Sequence, residues 1–254
     1  MKLSGFSFTH NCIQSGYPII QAIEVVRDFV SEIVVVDMAS TDQTRRVLTR
    51  LGCRVLDGRW ATPVFCGDDV LRAAYDRHEE CEGDVIIFFE ADEVYDPNLL
   101  RRAVWEIEQG HHNLAMWRLQ LEQGFQRCRW YPIRVHRIFP KGAGSYRNHP
   151  TICPVDIPTI PGEYGYMWDI ANCFRDDVLT RRRNQNQVWG SSRRLYVSGH
   201  FTESVELSEA EEVARLAEEH WTWRATPFAI PEVLRPLVGV TRYSDSQACR
   251  VLLG

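Results

Sequence analysis

The chain of 254 residues is long enough for one α/β domain with a short extension. Its 44% hydrophobic and 25% charged residues are typical of a chain that buries a full-sized core, which excludes an intrinsically disordered protein. A formal net charge of -5 removes the general attraction to phosphate on which non-specific nucleic-acid binding depends. We therefore expect a globular protein without a nucleic-acid partner.

We also expect a cytoplasmic protein, because the sequence carries no pattern for export or membrane insertion. The longest uninterrupted apolar run, Val85 to Phe89, is far shorter than the ~20 residues that a membrane-spanning helix needs. The first residues, MKLSGFSFTHN, lack the apolar segment of a secretory signal. The eight cysteines are scattered without a CxxC pair, which favours reduced thiols over disulfides or a zinc site.

The first half of the chain alternates short apolar runs with helical patterns. Pro18 precedes one of these helices, a Ser40/Gln43 capping box begins the next, and Asp96 with Pro97 begins a third. This alternation is typical of an α/β domain with a largely parallel sheet. In chain order we predict strands at 2–9, 33–36, 54–56 and 85–89, and helices at 19–29, 40–51, 69–78 and 96–110.

The second half is less regular. Residues 114–121 and 134–139 are predicted strands of a small antiparallel extension, and many prolines and glycines between 142 and 165 predict ordered loops. We predict a helix from Ile170 to Val188, and a capping box at Ser208 and Glu211 indicates a surface helix toward His220. The predicted fold is α/β, with a mostly parallel central sheet flanked by helices, a small antiparallel extension and a C-terminal helical segment.

Polar and acidic residues follow several predicted strands at the edge where α/β sheets bind ligands. Carboxylates held close together need a cation or hydrogen-bond donors, and Mg²⁺ or Mn²⁺ commonly bridges such oxygens to substrate phosphates. A nucleoside diphosphate with a divalent cation is therefore expected here. The alternative is that Asp37 and Asp92 are solvated loop starts or helix caps. The residues that follow the strands are Thr9, His10, Asn11, Asp37, Glu90, Asp92 and Glu93.

Four motifs occur in a characteristic order: FTHN before a helix, SEIVVVDMASTDQT, DGRW, and GDVIIFFEADEVYDP. In order and spacing the sequence resembles the glycosyltransferases of family 2 with the GT-A fold, in particular bacterial and viral members related to lipopolysaccharide-core and capsule sugar transferases. Family members show EIVVVDxxSTDxT and a strand that ends in DADE. The resemblance covers residues 5–150 well and the remainder loosely.

The resemblance implies a Rossmann-like GT-A catalytic domain over residues 1–205. Residues 1–110 would form the half that binds the nucleotide sugar, and residues 111–205 the acceptor half. Residues 206–254 would be a C-terminal helical extension packed on the same domain.

By resemblance, the nucleotide-sugar site comprises Thr9, His10, Asp37, Asp69, Glu90 and Ala91. The triplet EAD replaces the DxD of the family, so that Glu90 would face the ribose or a metal-bound water. Asp92 would coordinate Mn²⁺ or Mg²⁺ at the diphosphate. Because glutamate is one methylene longer than aspartate, Asp92 is the stronger candidate for a metal ligand.

Later motifs extend the resemblance. SYRNHP would bring His149 near the active cleft, with a structural histidine as the alternative. SGHF would supply His200 as a second metal ligand, since imidazole is a suitable ligand for Mn²⁺. The arginines at 181–183, 193 and 194 would form a lid over the diphosphate or a solvated helix face.

Family 2 members are inverting enzymes, so the resemblance implies a base that deprotonates the acceptor hydroxyl. Asp169, ahead of the helix predicted from Ile170, is the candidate. Asp156 and Asp177 are competitors, and Asp169 has the alternative role of an N-cap.

The implied function is transfer of a hexose from a nucleotide-diphosphate sugar, UDP first, to a hydroxyl of a glycan or glycoconjugate. A sugar-1-phosphate nucleotidyltransferase is the competing enzyme class, but its glycine-rich GGxGTRL-type loop is replaced by FTHNCIQSGYP. A catalytically degenerate glycan-binding module is the non-enzymatic alternative, which the change from Asp to Glu in the EAD triplet favours.

Overall fold

The computed structural model describes residues 1–59, 68–122, 125, 127–129, 132–143, 156–174, 195–197, 200–202, 223–225, 230 and 232–253. Ten of the strands within these residues form one sheet, which confirms the predicted α/β class. A search of the same residues finds no helix that is long and apolar enough to cross a membrane.

The first half contains the predicted alternation of strands and helices. Two short elements, β5 and α1, are additional to the prediction. The strands are β1 (Leu3–Thr9), β2 (Glu32–Asp37), β3 (Arg54–Asp57), β4 (Val85–Phe88) and β5 (Glu93–Tyr95), and the helices are α1 (Cys12–Ser15), α2 (Ile19–Arg27), α3 (Thr44–Arg50), α4 (Asp68–Asp76) and α5 (Pro97–Glu108).

The structure confirms one of the helix starts predicted from the sequence and contradicts another. Asp96 caps α5 as predicted, because its side chain accepts a hydrogen bond from the Asn98 amide at 2.8 Å. The capping box predicted at Ser40 is wrong, since α3 begins only at Thr44. The Ser40 hydroxyl instead accepts a hydrogen bond from the Asn11 amide at 2.9 Å, so it joins two loops.

The second half contributes mostly strands. They are β6 (Leu114–Glu122), β7 (Arg127–Arg129), β8 (Ile133–Pro140), β9 (Met167–Asn172), β10 (Leu195–Val197), β11 (His200–Thr202) and β12 (Trp223–Ala225), and helix α6 (Gln247–Leu253) follows near the C-terminus. The antiparallel extension is confirmed by the pairing of β6 with β8 and β7. The surface helix predicted at 208–220 lies outside the described residues.

The helix predicted from Ile170 is wrong at its start. Residues 170–172 belong to β9, which lies between β5 and β6 and pairs with both. Pairing on two sides satisfies the backbone of β9, and this outweighs a short apolar pattern that fits a helix and a strand equally well. Most of the predicted helix, residues 175–188, lies outside the described part of the chain.

The order of the strands defines where the chain reverses direction across the sheet. The order is β12-β7-β6-β8-β4-β1-β2-β3, and β1 pairs in parallel with both β2 and β4. The chain proceeds from β1 to β2 and β3 on one side and then returns to β4 on the other side. A crevice at such a switch point, beyond the carboxyl ends of the strands, is the usual ligand site of open α/β sheets.

Apolar layers cover both faces of the parallel strands. On one face, Val35 and Ile87 pack with residues of α2, α3 and α5. On the other face, Phe6 and Phe88 pack with Tyr75 of α4. The central strands β1, β2 and β4 are therefore buried on both faces, as the continuous apolar runs in β2 and β4 predict.

The C-terminal residues pack on the same core. Two 3-10 turns, Glu232–Leu237 and Tyr243–Asp245, precede α6. Tyr243 is fully buried, and its hydroxyl donates to the Gln21 side chain at 2.8 Å and accepts from the Ile20 amide at 3.2 Å. β12 lies in the main sheet, so residues 223–225 of the predicted helical extension form a strand. The domain boundary at residue 205 stays a prediction.

Candidate active site

The carboxyl ends of the parallel strands meet at one edge of the sheet. Thr9 lies opposite Asp37 in the β1–β2 pair, and Asp37 lies opposite Asp57 in the β2–β3 pair. On the other side of β1, the Phe89 amide donates to the Phe6 carbonyl at 3.1 Å and continues the pairing with β4. The loop that starts at Glu90 therefore lies across the switch point from Thr9.

Asp37 is buried and makes two polar contacts. One carboxylate oxygen accepts a long hydrogen bond from the Ser40 amide at 3.4 Å, as at a loop start, but the side chain is buried and not solvated as the alternative interpretation has it. The other oxygen lies 3.4 Å from the Arg45 guanidinium, which also pairs with Asp57 at 2.7 Å. Because Arg45 is half-exposed, this charged group is accessible from solvent.

Two hydroxyls on one face of β1 are buried without a partner. The side-chain oxygens of Ser7 and Thr9 have no hydrogen-bond partner among the residues that the structure describes. A buried hydroxyl that lacks a partner costs about 1–3 kcal/mol. Thr9, the second of the two, is the last residue of β1 and lies at the ligand edge.

His10 has a fixed ring. Its Nδ1 donates to the Met38 carbonyl at 2.7 Å, because a carbonyl can only accept. The Asn11 side-chain amide lies 3.2 Å from its Nε2. His10 thus contacts both loops at this edge of the sheet.

Glu93 is the most strongly bound carboxylate at this edge. Its side chain is fully buried and accepts two hydrogen bonds from Arg137, at 2.9 and 2.7 Å, and one from Arg118 at 3.1 Å. Burial alone would raise the pKa of Glu93, but the positive charges of Arg137 and Arg118 outweigh burial and lower this pKa to about 2. Glu93 therefore stays ionised.

The pKa of Glu90 is shifted in the opposite direction. Its carboxyl group lies 3.7 Å from Arg137 and 3.9 Å from Arg118, beyond hydrogen-bond distance. Burial raises the pKa of Glu90, repulsion by Glu93 adds to this effect, and the result is a pKa of about 8 in spite of Arg137.

Asp169 is brought into the same group of charges. It lies opposite Glu93 in the β5–β9 pair, and its carboxylate is 3.9 Å from the Nε of Arg118. It is 7% exposed. The N-cap alternative is wrong, because Asp169 is inside a strand. Arg118 and Arg137 therefore lie among the carboxyl groups of Glu90, Glu93 and Asp169.

Asp92 is half-buried in the loop between β4 and β5. Its carbonyl accepts a hydrogen bond from the Ile170 amide at 2.9 Å, which ties the acidic loop to β9. The described residues contain no group of three or more His, Cys, Asp or Glu that could hold a metal ion by itself. Mg²⁺ often binds through only one or two carboxylates, with water and substrate phosphates at the remaining positions.

The remaining predicted residues make no contact with this cluster that the structure records, or lie outside the described part. Ala91, between Glu90 and Asp92, is half-buried against the core, and Asp156 is exposed. Asp69 is in the first turn of α4, and His200 is in β11, which pairs with β10 in a separate two-stranded sheet. The candidates outside the described residues are His149, Asp177 and the arginines at 181–183, 193 and 194.

The sequence prediction missed Arg45, Arg118 and Arg137. A signal for Arg137 was present in the sequence. It lies two residues from both Val135 and Phe139 in β8, and all three side chains are buried. Arginine on the buried face of a strand is almost always paired with an acid. Its partner is Glu93 of β5, which lies 44 residues before Arg137 in the chain, so the local pattern around Arg137 does not identify the acid.

Residues 9–160 match the family model described as Glycosyl transferase family 2. S. aureus TarS 1-349 in complex with UDP-GlcNAc is 23% identical, with 48% of this chain and 35% of that chain covered and a TM-score of 0.35. Glucosyl-3-phosphoglycerate synthase from Mycobacterium tuberculosis, in complex with Mn²⁺ and UDP-glucose, is 23% identical, with 47% and 43% covered and a TM-score of 0.36.

These alignments span less than half the length of either solved chain. No match is found among curated proteins.

Proposed function

Because the chain belongs to glycosyl transferase family 2, we propose that it transfers a hexose from a UDP-sugar to a hydroxyl of a glycan or glycoconjugate acceptor. The observation that carries this proposal is the convergence of Thr9, Asp37 and the loop containing Asp92 on the switch point of the sheet. A nucleotide bound there would contact residues from the ends of β1, β2 and β4 at once.

The base and ribose would bind on the β1–β2 side. Asp37 and Arg45 offer an acceptor and a donor that are already oriented by their mutual contact. Thr9 and His10 follow β1 on the same side, and Asp69 at the start of α4 is a further candidate for this subsite. Glu90, with its pKa of about 8, would donate a hydrogen bond to a ribose hydroxyl rather than ligate a metal.

The diphosphate would lie over Asp92. A bound Mn²⁺ or Mg²⁺ would offset the negative charge that develops on the leaving diphosphate. Asp92 would hold this cation with one carboxylate, and His200 stays the candidate for a second ligand. The small side chain of Ala91, between Glu90 and Asp92, would leave space for the sugar.

Asp169 would act as the base of an inverting single displacement. Its carboxylate would take the proton of the acceptor hydroxyl, the hydroxyl oxygen would bond to the anomeric carbon, and the bond from that carbon to the diphosphate would break. Arg118 would orient Asp169 through their contact at 3.9 Å. Asp156 and Asp177 stay as alternative bases.

A degenerate glycan-binding module is the second candidate function. The contact between Asp169 and Arg118 favours it, because a carboxylate paired with arginine is a weaker base than a free one. Such a module would bind sugar without consuming a donor.

Calorimetric titration of UDP, GDP and TDP, with Mn²⁺ and then with EDTA, tests the nucleotide and the metal together. We expect UDP to bind with Mn²⁺ and to lose most of its affinity in EDTA. Absence of binding by every nucleotide would contradict the transferase function. Metal-dependent release of UDP from UDP-sugars would then separate an enzyme from a binding module, because only an enzyme turns the donor over.

A further inference from the structure

The side chain of Asn11 connects the two loops that flank the β1–β2 side of the proposed site. Its Oδ1 accepts hydrogen bonds from two consecutive backbone amides of the loop after β2, Thr41 at 2.7 Å and Asp42 at 3.3 Å. The Thr41 hydroxyl lies 3.4 Å from the same oxygen. One side chain from the loop after β1 therefore holds the loop after β2 by its backbone.

The backbone of Asn11 contributes to the same connection. Its amide donates to the Ser40 hydroxyl at 2.9 Å, and the neighbouring His10 ring donates to the Met38 carbonyl. Residues 10 and 11 thus contact each of residues 38, 40, 41 and 42 of the opposite loop. The contacts span about 30 residues of sequence, so they order two separate segments relative to each other.

Both loops contain a residue in the left-handed region of backbone conformation. Asn11 has φ of 48° and Ala39 has φ of 54°. Asparagine tolerates this region, whereas alanine is strained in it. Asn11 contacts Ser40, Thr41 and Asp42, the three residues that directly follow Ala39 in the same loop.

We propose that Asn11 is a positioning residue that fixes the loop after β2 in its binding conformation before the nucleotide arrives. The inference rests on the proposed function, in which Asp37 and Arg45 bind the nucleotide. The loop runs from Asp37, the last residue of β2, to helix α3, which contains Arg45. Ordering a loop on binding weakens affinity, and a loop that is already ordered avoids this cost. Asn11 acts through the loop and does not itself contact the nucleotide.

Asn11→Gly tests this role. Glycine adopts the same positive φ without strain, so the variant keeps the backbone conformation and removes the side chain, with its acceptor for Thr41 and Asp42 and its contact with His10. Asn11→Asp keeps the acceptor but not the amide that contacts His10, and so separates the two effects. We expect faster hydrogen exchange at the Thr41 and Asp42 amides and about tenfold weaker UDP binding, which corresponds to the loss of about 1.4 kcal/mol. In the transfer reaction, KM for the donor rises and kcat changes little.

Ala39→Gly is the matched control, because it adds a glycine to the same pair of loops but removes no acceptor. It should leave the exchange of both amides and the UDP affinity close to wild type. Asn11→Asp keeps an oxygen at the same position and should restore slow exchange at both amides. Loss of UDP affinity in Ala39→Gly equal to that in Asn11→Gly would overturn the proposal, since flexibility alone would then explain both.

Hydrogen exchange of the wild-type protein, measured with and without UDP, gives a test that no folding defect of a variant can affect. If the Thr41 and Asp42 amides exchange slowly without nucleotide, the loop is ordered in advance, as proposed. If they become slow only with UDP, Asn11 does not order the loop and the proposal is wrong. If Asn11→Gly binds UDP as tightly as the wild-type protein does, this inference alone is wrong. If the wild-type protein binds no UDP, the proposed function is wrong as well.

Discussion

Glu90 and Glu93 are three residues apart and have pKa values shifted in opposite directions. Glu93 is bound by Arg137 and Arg118 at hydrogen-bond distance, while Glu90 is just beyond their reach. Burial and the negative charge of Glu93 raise the pKa of Glu90 to about 8, whereas Arg137 and Arg118 outweigh burial and lower the pKa of Glu93 to about 2.

The raised pKa of Glu90 predicts a stability that falls as pH rises. Its ordinary value is 4.5, and the folded protein raises it to about 8. The folded state therefore holds the proton more tightly, and the resulting stabilisation is complete below about pH 4.5 and lost as pH rises through 8. We expect a lower free energy of unfolding at about pH 9 than at about pH 6, measured by urea denaturation.

Glu90→Gln should remove this dependence, because glutamine does not titrate. Glu108→Gln, at an exposed position, is the control and should leave the dependence intact. An equally steep decline in Glu90→Gln would show that another group is responsible.

Asp92→Ala should abolish the metal-dependent part of nucleotide binding. The variant removes the carboxylate through which the chain would hold the cation. We expect its UDP affinity with Mn²⁺ to equal that in EDTA, measured by calorimetry. If Mn²⁺ still strengthens UDP binding, Asp92 is not the ligand.

Asp169→Asn should separate binding from catalysis. Asparagine keeps the shape of the side chain but cannot accept the acceptor's proton, so UDP binding persists while kcat falls by about 10²–10⁴-fold. Rates of transfer and UDP affinity, measured on the same preparation, check this expectation. Wild-type kcat in this variant would transfer the role of base to Asp156 or Asp177.

At the scale of elements, buried charges join strands that are far apart in sequence. Arg137 of β8 binds Glu93 of β5, and Arg118 of β6 connects the same glutamate to Asp169 of β9. Both arginines are largely or fully buried. The relative positions of four strands thus depend on these ion pairs, and the candidate base and the acidic loop lie at their ends.

The variant Arg137→Met tests how strongly the ion pair between Arg137 and Glu93 stabilises the fold. The variant leaves Glu93 buried with only Arg118 as a partner, and removing one member of a buried ion pair costs about 3–5 kcal/mol. Urea denaturation measures the loss. The double variant Arg137→Met with Glu93→Met should recover most of it, because no uncompensated charge remains. A single-variant cost below about 1 kcal/mol would mean that water solvates Glu93 in the folded protein.

At the scale of the whole molecule, the C-terminal residues are part of the core on which the site is built. Tyr243 is more than 200 residues from α2 in sequence, yet its hydroxyl bonds to Ile20 and Gln21. Leu234, Leu237 and Cys249 are buried in the same core. The packing of α2 against the sheet therefore depends on the C-terminal segment.

Tyr243→Phe should destabilise the protein by about 1–3 kcal/mol, because a buried backbone amide at Ile20 loses its partner. Thermal unfolding measures this effect. Val251→Ala, at an exposed position of α6, serves as the control and should leave the unfolding temperature unchanged. Equal stability of both variants would indicate that water replaces the tyrosine hydroxyl.

The sequence by itself determined the parallel half of the sheet and the residues at its carboxyl edge. The run that forms β4 and the centre of β2 are continuously apolar, and β1 carries Phe6 and Phe8 among small residues. The polar residues Thr9, Asp37 and Asp92 come at or just after the ends of these strands, where local pattern located them. These features are local, because a strand's burial and its end are encoded in neighbouring residues.

Only the tertiary structure decided which of these residues have partners. Ile170 is in a strand because β5 and β6 lie on its two sides, and Ser40 bonds to Asn11 instead of capping α3. Arg118 and Arg137 select Glu93 over Glu90 through distances that no local pattern contains. Such choices depend on contacts between distant segments, and the free energy of those contacts exceeds the small local preferences that a sequence pattern expresses.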